Sequence, residues 1–390
     1  MTARVVVVGG GPAGLAVAAS MAQHGVGVTL CEAGSWPMPK MCGEFLSPDA
    51  AAALASIGAA DLLSTIDAPV IEALRATASR GGRVVAESSS RLEFPGHGVS
   101  REDLDAALAR AAAGAGVELR ERCRVTSIDT GSAGARVVTA AGEIAADAIV
   151  VATGRVPGIG RDAAQRSRRW VAVKLHVRGL RLPGVTELHF VDGAYVGLNE
   201  VACRGERVVN VCVLAKRGAW ERAGSTPGGL WAHLAAESPA FEERWRVATP
   251  VADSFVAAAG FDFSVRGPRG RGDRPPFYVG DAAALITPLC GDGQAMALAG
   301  GVALGEILAK VRDLRDAAAV RRGAVSWERE FRARFRGRIA LGRVLQTLLL
   351  APRAAEWTVR AAGASSALTD LVYRATRGGV DDRSSASRRA

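Results

Sequence analysis

The first 33 residues constrain this chain more than any other part of it. Four valines at residues 5–8 run directly into a glycine-rich turn at residues 9–14 (GGGPAG). An unbroken β-branched run is typical of a buried parallel strand, because both faces of such a strand are covered. A second apolar run at residues 28–31 ends at Glu32-Ala33. This order of strand, turn, helix, strand and acid predicts a βαβ unit at the start of the chain.

The residues of the turn each have a separate task. Gly9 permits the tight turn out of the strand, Gly11 lets the backbone approach a pyrophosphate, and Gly14 lets the helix pack on the sheet. The helix that starts at Pro12 directs its unpaired amides and its positive dipole end at the phosphates. Glu32 follows at the spacing at which a carboxylate accepts hydrogen bonds from a ribose diol. We therefore predict a dinucleotide site for FAD or NAD.

Composition favours a globular enzyme. The chain has 390 residues, 49% of them hydrophobic, which is enough for two or three packed units. Its net charge is +10, but the basic residues are spread along the chain with few aromatic residues among them, which argues against a nucleic-acid partner. No apolar run is long enough for a transmembrane helix, and contact with a membrane surface stays open. The six cysteines lack zinc-ligand spacing and no leader precedes the first strand, so we expect no metal and a cytoplasmic location.

A second motif lies far along the chain. An apolar stretch at residues 277–279 ends in Gly280-Asp281, and residues 288–294 (PLCGDGQ) follow. A Gly-Asp pair at a strand end places a carboxylate near ribityl or ribose hydroxyls. The glycine-rich turn opens a long helix, whose amide end can stabilise negative charge on a flavin. The two motifs together favour FAD.

Both motifs resemble the p-hydroxybenzoate hydroxylase-fold superfamily of FAD-dependent oxidoreductases, which includes monooxygenases, geranylgeranyl-reductase-like enzymes and flavin halogenases. The resemblance covers roughly residues 1–310. It implies an α/β fold with an interrupted Rossmann-type FAD-binding domain, a β-sheet substrate domain and C-terminal helices. The expected boundaries are 1–69, 98–165 and 263–310 for the FAD-binding domain, 70–97 and 166–262 for the substrate domain, and 311–390 for the helical region.

The resemblance also implies which residues bind FAD. Arg101 matches the arginine that opens the second FAD-side helix and reaches the phosphates, and Asp281 matches the ribityl-binding aspartate. Val125 falls where the strand beside the adenine passes. The expected FAD-binding residues are Gly9, Gly11, Pro12, Ala13, Gly14, Glu32, Ala33, Arg101, Val125, Asp281, Gly291 and Gly293.

Departures from the family patterns bear on the reaction. The monooxygenases usually carry an Asp-Gly pair where this chain has residues 152–155 (ATGR). The halogenases add a Trp-x-Trp-x-Ile-Pro stretch and a lysine that captures hypohalous acid, whereas no lysine lies here between Lys40 and Lys174. The loop at residues 40–48 (KMCGEFLSP) looks most like the reductase-type branch.

The sequence supports two reactions almost equally. The favoured one is a monooxygenase of secondary metabolism, in which NAD(P)H reduces FAD and a flavin C4a-hydroperoxide passes oxygen to an apolar aromatic, polyketide or isoprenoid metabolite. The close second is an FAD-dependent ene-reductase that saturates a carbon–carbon double bond. Halogenation and non-catalytic electron carriage are weaker alternatives. The substrate itself and the oligomeric state are not predicted.

The catalytic side chains are not determined by the sequence. Two cysteines on the flavin side either exchange electrons with FAD or simply fill space, and strand alternation sends half of the sheet candidates away from the pocket. The candidates for the pocket are Cys42, Glu44, His189, Tyr195, Asn199, Asn210 and Cys290.

The C-terminal region combines leucines with many arginines. We expect its apolar face at residues 339–350 to pack on the FAD-binding domain. Cover for a lipophilic substrate, or contact with a bilayer surface, is the alternative.

Overall fold

A computed structural model describes residues 3–131, 134–155, 159, 169–260, 263 and 265–377. Its strands are β1 (Arg4–Val8), β2 (Gly27–Cys31), β3 (Phe45–Leu46), β4 (Val70–Ser79), β5 (Val84–Gly98), β6 (Glu118–Arg120), β7 (Val125–Gly131), β8 (Gly134–Thr139), β9 (Gly142–Ala146), β10 (Ala148–Val151), β11 (Trp170–Arg178), β12 (Val185–Val191), β13 (Ala194–Cys203), β14 (Glu206–Lys216), β15 (Thr249–Pro250), β16 (Val256–Ala259) and β17 (Phe277–Tyr278).

The α-helices are α1 (Pro12–Gln23), α2 (Ala50–Ser56), α3 (Leu62–Thr65), α4 (Arg101–Gly114), α5 (Arg217–Arg222), α6 (Pro227–Glu237), α7 (Pro239–Trp245), α8 (Gly293–Ala309), α9 (Ala317–Leu349), α10 (Pro352–Ala364) and α11 (Ser366–Ala375). Two short 3₁₀ helices cover Gly280–Ala282 and Pro288–Cys290. None of the described helices is both long and apolar enough to cross a bilayer.

A five-stranded parallel sheet forms the nucleotide-binding core. Its order is β17-β10-β1-β2-β6, so strands from the start, the middle and the far end of the chain lie side by side. Helices α1 and α8 pack together beside the sheet, and glycines allow their backbones to approach closely. A Cβ at Gly301 would lie only 2.6 Å from the carbonyl oxygen of Ala13. The predicted α/β class with an interrupted Rossmann-type sheet is confirmed.

A nine-stranded, mostly antiparallel sheet forms the second layer. Its main path is β15-β11-β14-β13-β12-β4-β5-β3, and β16 pairs with β11. One face packs against α5, α6 and α7 around Trp231 and Phe241. The other face turns towards the cavity described below. Strand β12 shows this division, because Thr186, Leu188 and Phe190 face the cavity while the residues between them face the helices.

The C-terminal helices span both layers. Trp327, Phe331 and Phe335 on α9 belong to the same buried cluster as the parallel sheet. Of the apolar face predicted at residues 339–350 to pack on the FAD-binding domain, Ile339 joins this cluster, whereas Leu348 and Leu349 line the cavity. The end of α9 and the helices α10 and α11 instead lie over the cavity and against β5. Residues 378–390, which the sequence assigns to the same region, lie outside the described residues.

Candidate functional site

A cavity of about 710 Å³ lies where the two sheets and the C-terminal helices meet. Its nucleotide end is lined by Gly11, Pro12, Ala13, Arg101, Asp281, Gly291 and Gly293. Seven of the twelve expected FAD-binding residues therefore share one wall. The other end is lined mainly by apolar side chains of the nine-stranded sheet and of α9, α10 and α11.

The start of α1 offers room for a phosphate. Gly11 is the N-cap of this helix and makes no side-chain cap, so its first amides remain free for a ligand. The guanidinium of Arg101 lies 3.5 Å from the place where a Cβ of Gly11 would sit. Asp105 holds this guanidinium through two bonds of 2.7 and 2.8 Å. A fixed positive charge thus faces the amide end of the helix, which suits a pyrophosphate.

Glu32 lies at the end of β2, as a ribose-binding acid requires. Its carboxylate accepts hydrogen bonds from the amides of Gly10 at 2.7 Å and Gly34 at 3.0 Å. Ala33 follows it at an exposed position, and Val125 is buried at the start of β7. The roles expected for Ala33 and Val125 stay predictions.

Asp281 follows β17 and shares the cavity wall with an arginine that the sequence did not single out. The guanidinium Nε of Arg155 lies 3.8 Å from the carboxylate of Asp281. Arg155 also donates a hydrogen bond to the carbonyl oxygen of Met41 in the loop before Glu44. Burial raises the pKa of Asp281, and the charges of Arg155 and Arg101 oppose that rise. The signal for Arg155 was present in the sequence as a departure from the Asp-Gly pair.

The second glycine turn also borders the nucleotide end of the cavity. Gly291 has a φ of 62°, and a Cβ there would lie 2.9 Å from the ring of Phe45. Gly293 begins α8, whose N-cap Asp292 makes no side-chain cap. Burial and the neighbouring carboxylate of Asp49 raise the pKa of Asp292 to about 7, although Arg338 bonds it. The amide end of α8 is therefore open to a flavin ring.

Glu44 is the centre of a buried ion cluster that the sequence did not predict. Its carboxylate contacts the ammonium of Lys174, the Nε2 atom of His176 at 2.6 Å and the backbone amide of Arg101 at 2.9 Å. Glu44 and Lys174 are fully buried. Burial alone would raise the pKa of Glu44, but Lys174 and His176 outweigh it and lower the pKa to about 2.

Two asparagines on adjacent strands hold the same loop by its backbone. Asn210 on β14 donates to the carbonyl oxygen of Gly43 at 2.8 Å, and Asn199 on β13 donates to that of Glu44 at 3.4 Å. These asparagines pair in register, and His176 pairs with Asn210 from the other side. A row of polar side chains across the sheet thus supports the loop, and of the asparagines only Asn199 lines the cavity.

The two thiols beside the flavin end differ in their surroundings. The sulfur of Cys42 accepts hydrogen bonds from the amide of Glu44 and from Gln294 on α8, both at 3.3 Å. Cys290 packs towards α9, because its sulfur lies 3.1 Å from the place where a Cβ of Gly342 would sit. Burial raises the pKa of Cys290 to about 12. Both cysteines are free thiols that line the cavity.

The apolar end of the cavity has Tyr195 in its floor and excludes His189. Tyr195 on β13 lies 5.9 Å from the ring of Phe190, and burial raises the pKa of its hydroxyl well above the ordinary value. His189 points to the opposite face of the sheet, where its Nδ1 atom lies 2.8 Å from the hydroxyl of Thr77 and its ring contacts Phe241. Strand alternation therefore separates the two candidates.

One group of possible metal ligands exists among the described residues. Glu102, His176 and Cys203 place ligand atoms within 4.8 Å of one another. Each already has a partner, since Glu102 bonds Arg204 at 2.6 Å, His176 bonds Glu44, and Cys203 donates to Glu102 at 3.4 Å. These contacts explain the closeness of the three side chains without an ion.

Models of two protein families match the first half of the chain. The model described as FAD dependent oxidoreductase matches residues 44–191, and the model described as pyridine nucleotide-disulphide oxidoreductase matches residues 1–66. Together with the cavity wall of glycines, Arg101 and Asp281, these matches identify the class. The chain is an FAD-dependent oxidoreductase with the fold of the superfamily that its two motifs resemble.

Individual relatives span nearly the whole chain. A menaquinone reductase of Mycobacterium tuberculosis is 28% identical over 98% of this chain and 92% of its own length. A menaquinone reductase of Mycolicibacterium smegmatis is 26% identical over 95% and 90%. Among solved structures, the flavin-dependent brominase Bmp2 has a TM-score of 0.79 at 19% identity, covering 96% of this chain and 93% of its own, which shows a shared fold.

Proposed function

We propose that this chain is an FAD-dependent reductase that saturates a carbon–carbon double bond in a prenylated quinone or a similar isoprenoid lipid. The observation that carries the proposal is the long apolar cavity that begins at the flavin-side turns and ends beneath α10 and α11. Relatives named menaquinone reductase over nearly the full length support the same substrate class. The loop around Cys42, which resembles the reductase-type branch, supports it as well.

The described residues orient the substrate, exclude water from it and deliver a proton. Bound FAD, once reduced by NAD(P)H or another donor, would supply two electrons together with one proton to the first carbon of the double bond. Phe190, Leu188 and Leu214 exclude water from the substrate end. Saturation also needs a proton at the second carbon, and we assign its delivery to Tyr195, whose hydroxyl group is carried by a side chain of the cavity wall. Glu44 is a positioning residue in this proposal, because it fixes the loop that we place between flavin and substrate.

Oxygen transfer remains the second candidate, since the same enclosed apolar cavity suits it. Halogenation has less support because Lys174 is held by Glu44 in the protein interior rather than at the cavity wall. Electron carriage to a protein partner has less support because the C-terminal helices cover the substrate end of the cavity.

The test is product analysis after anaerobic turnover. Flavoprotein reduced under nitrogen is given menaquinone with an unsaturated side chain, and the lipid is analysed by mass spectrometry before and after exposure to air. A gain of two hydrogens that persists in air supports chain saturation. A gain that reverts in air indicates reduction of the quinone ring only, and a product formed only with oxygen present and carrying one oxygen atom indicates the oxygenase. Either result contradicts the proposal.

The proton donor is tested by Tyr195→Phe. We expect kcat to fall by about 10²-fold or more, with KM and the flavin spectrum retained because the ring stays in place. Tyr373→Phe is the matched control, since this second tyrosine of the cavity wall donates its hydroxyl to the carbonyl oxygen of Phe94 at 2.7 Å. Equal rates for the two variants would remove Tyr195 from the mechanism.

A further inference from the structure

The mouth of the cavity is surrounded by apolar side chains that face solvent. Eleven large hydrophobic residues are exposed in the described part of the chain, and five lie between residues 344 and 371. Trp357 and Leu371 are 69% and 64% exposed. Exposed apolar side chains gathered in one region mark an interaction site. We call this group the mouth patch: Val344, Leu348, Trp357, Leu368 and Leu371.

The mouth patch is continuous with the substrate cavity. Leu348, Trp357 and Leu368 belong to the patch and also line the cavity. Apolar side chains of the patch therefore reach from solvent to the cavity wall, where a ligand with a long hydrocarbon chain could enter.

The surroundings of the patch are positively charged. Residues 343–377 contain five arginines, two acids and no lysine. Arg374 pairs with Glu93, Arg360 pairs with Glu356, and Arg377 is buried. The exposed Arg343 and Arg353 form no ion pair with a described residue, so these two supply the positive charge beside the patch. Arg353 is exposed at the start of α10. The guanidinium of Arg343 donates to the carbonyl oxygen of Phe263. Because this partner is uncharged, the contact leaves the positive charge of Arg343 in place. Arginine beside exposed tryptophan and leucine is the composition of surfaces that bind anionic lipids.

We propose that the mouth patch docks on an anionic lipid bilayer. Trp357 and Leu371 enter the headgroup region, and Arg343 and Arg353 contact lipid phosphates, which places the cavity mouth against the bilayer. A second copy of the chain fits this surface less well, because it would bring like charges together. Docking needs no particular reaction, whereas entry of substrate from the bilayer rests on the proposed function.

The experiment is co-sedimentation of the FAD-loaded full chain with vesicles. Vesicles of phosphatidylcholine with phosphatidylglycerol are compared with vesicles of phosphatidylcholine alone. The test variants are Val344→Ser/Leu371→Ser and Arg353→Glu, because none of these residues lines the cavity. The control is Val247→Ser/Phe255→Ser, which removes similarly exposed apolar groups (51% and 48%) outside the patch.

We expect the wild type and the control to bind the anionic vesicles, with affinity lowered on the order of tenfold in both test variants. Absence of binding by the wild type, equal binding to both kinds of vesicle, or unchanged binding by the double variant would overturn the proposal. So would loss of a dimer in the double variant, measured by analytical ultracentrifugation, without loss of vesicle binding.

A second measurement separates docking from the reaction. Reduction is assayed with a water-soluble short-chain substrate and with a long-chain substrate embedded in vesicles. The double variant should match the wild type on the soluble substrate and fall severalfold behind on the embedded one. Vesicle binding with no reduction of either substrate supports docking and contradicts only the proposed function. Equal rates on the embedded substrate contradict entry from the bilayer.

Discussion

Gly11 and Gly14 lie in one turn, yet an added methyl group would meet different surroundings at each. At Gly11 the nearest atom to a Cβ is the Arg101 guanidinium at 3.5 Å, which is an ordinary contact. At Gly14 a Cβ would lie 2.0 Å from the carbonyl oxygen of Gly9. The first glycine therefore leaves space for a ligand, whereas the second lets the protein pack against itself.

We predict that Gly11→Ala folds normally but is purified without its yellow colour, because the methyl group occupies space needed by the pyrophosphate. Gly14→Ala should lose about 1–3 kcal/mol of unfolding free energy even without flavin, because its backbone neighbour must move. Flavin absorbance and urea unfolding of the FAD-free proteins measure the two effects. Equal flavin content in Gly11→Ala and the wild type would contradict the assignment of this turn.

At the scale of elements, the loop between β2 and β3 is held on the nine-stranded sheet by one ion cluster and two asparagines. Glu44 adopts a φ of 57°, a left-handed conformation that non-glycine residues seldom take. Its contacts with Lys174 and His176 hold it there. The loop is thus fixed to the sheet by both side-chain and backbone contacts.

Lys174→Met should lower the unfolding free energy by about 3–5 kcal/mol, because the buried carboxylate of Glu44 loses its main partner. Lys216→Met is the matched control, since the ammonium of this exposed lysine on the neighbouring strand donates to a carbonyl oxygen, that of Leu350, instead of a carboxylate. Urea unfolding gives both values. Adding Glu44→Gln to Lys174→Met should recover part of the loss, and a strictly additive double variant would contradict the ion cluster.

At the scale of the whole molecule, two buried carboxylates on opposite faces of one sheet make the stability depend on pH in the same direction. Lys174 and His176 lower the pKa of Glu44 to about 2 against the opposing effect of burial. His189 and Arg244 do the same for Glu187, whose pKa is also about 2. Both pKa values lie below those of the unfolded chain, so the stabilisation is present above about pH 4.5 and is lost as the pH falls towards 2.

We predict that the free energy of unfolding falls steeply between about pH 4.5 and pH 2. Glu187→Gln should reduce this slope, whereas Glu206→Gln should leave it unchanged, because Glu206 forms an exposed pair with Arg178. Denaturant unfolding at a series of pH values tests this. The same slope in Glu187→Gln and the wild type would show that this carboxylate is not responsible.

The sequence predicted those parts of the site that depend on local chemistry. The two glycine turns and the acids beside them can be predicted because each depends on one strand and one helix that are neighbours in the sequence. The Glu44 cluster could not be predicted, since it joins residues that are 130 positions apart in the chain. Strand register decides between Tyr195 and His189, and alternation alone could not say which of them faces the cavity.

The cavity takes its floor from strands scattered through the chain and its roof from one contiguous segment at residues 343–377. Substitutions of its cavity-lining side chains alter the space available to the substrate, whereas Arg377 of the same segment donates to the carbonyl oxygen of Cys290 in the flavin-side turn. An engineer who wishes to change the length of the accepted substrate can therefore begin with point substitutions in one short stretch of the gene, provided that Arg377 is kept.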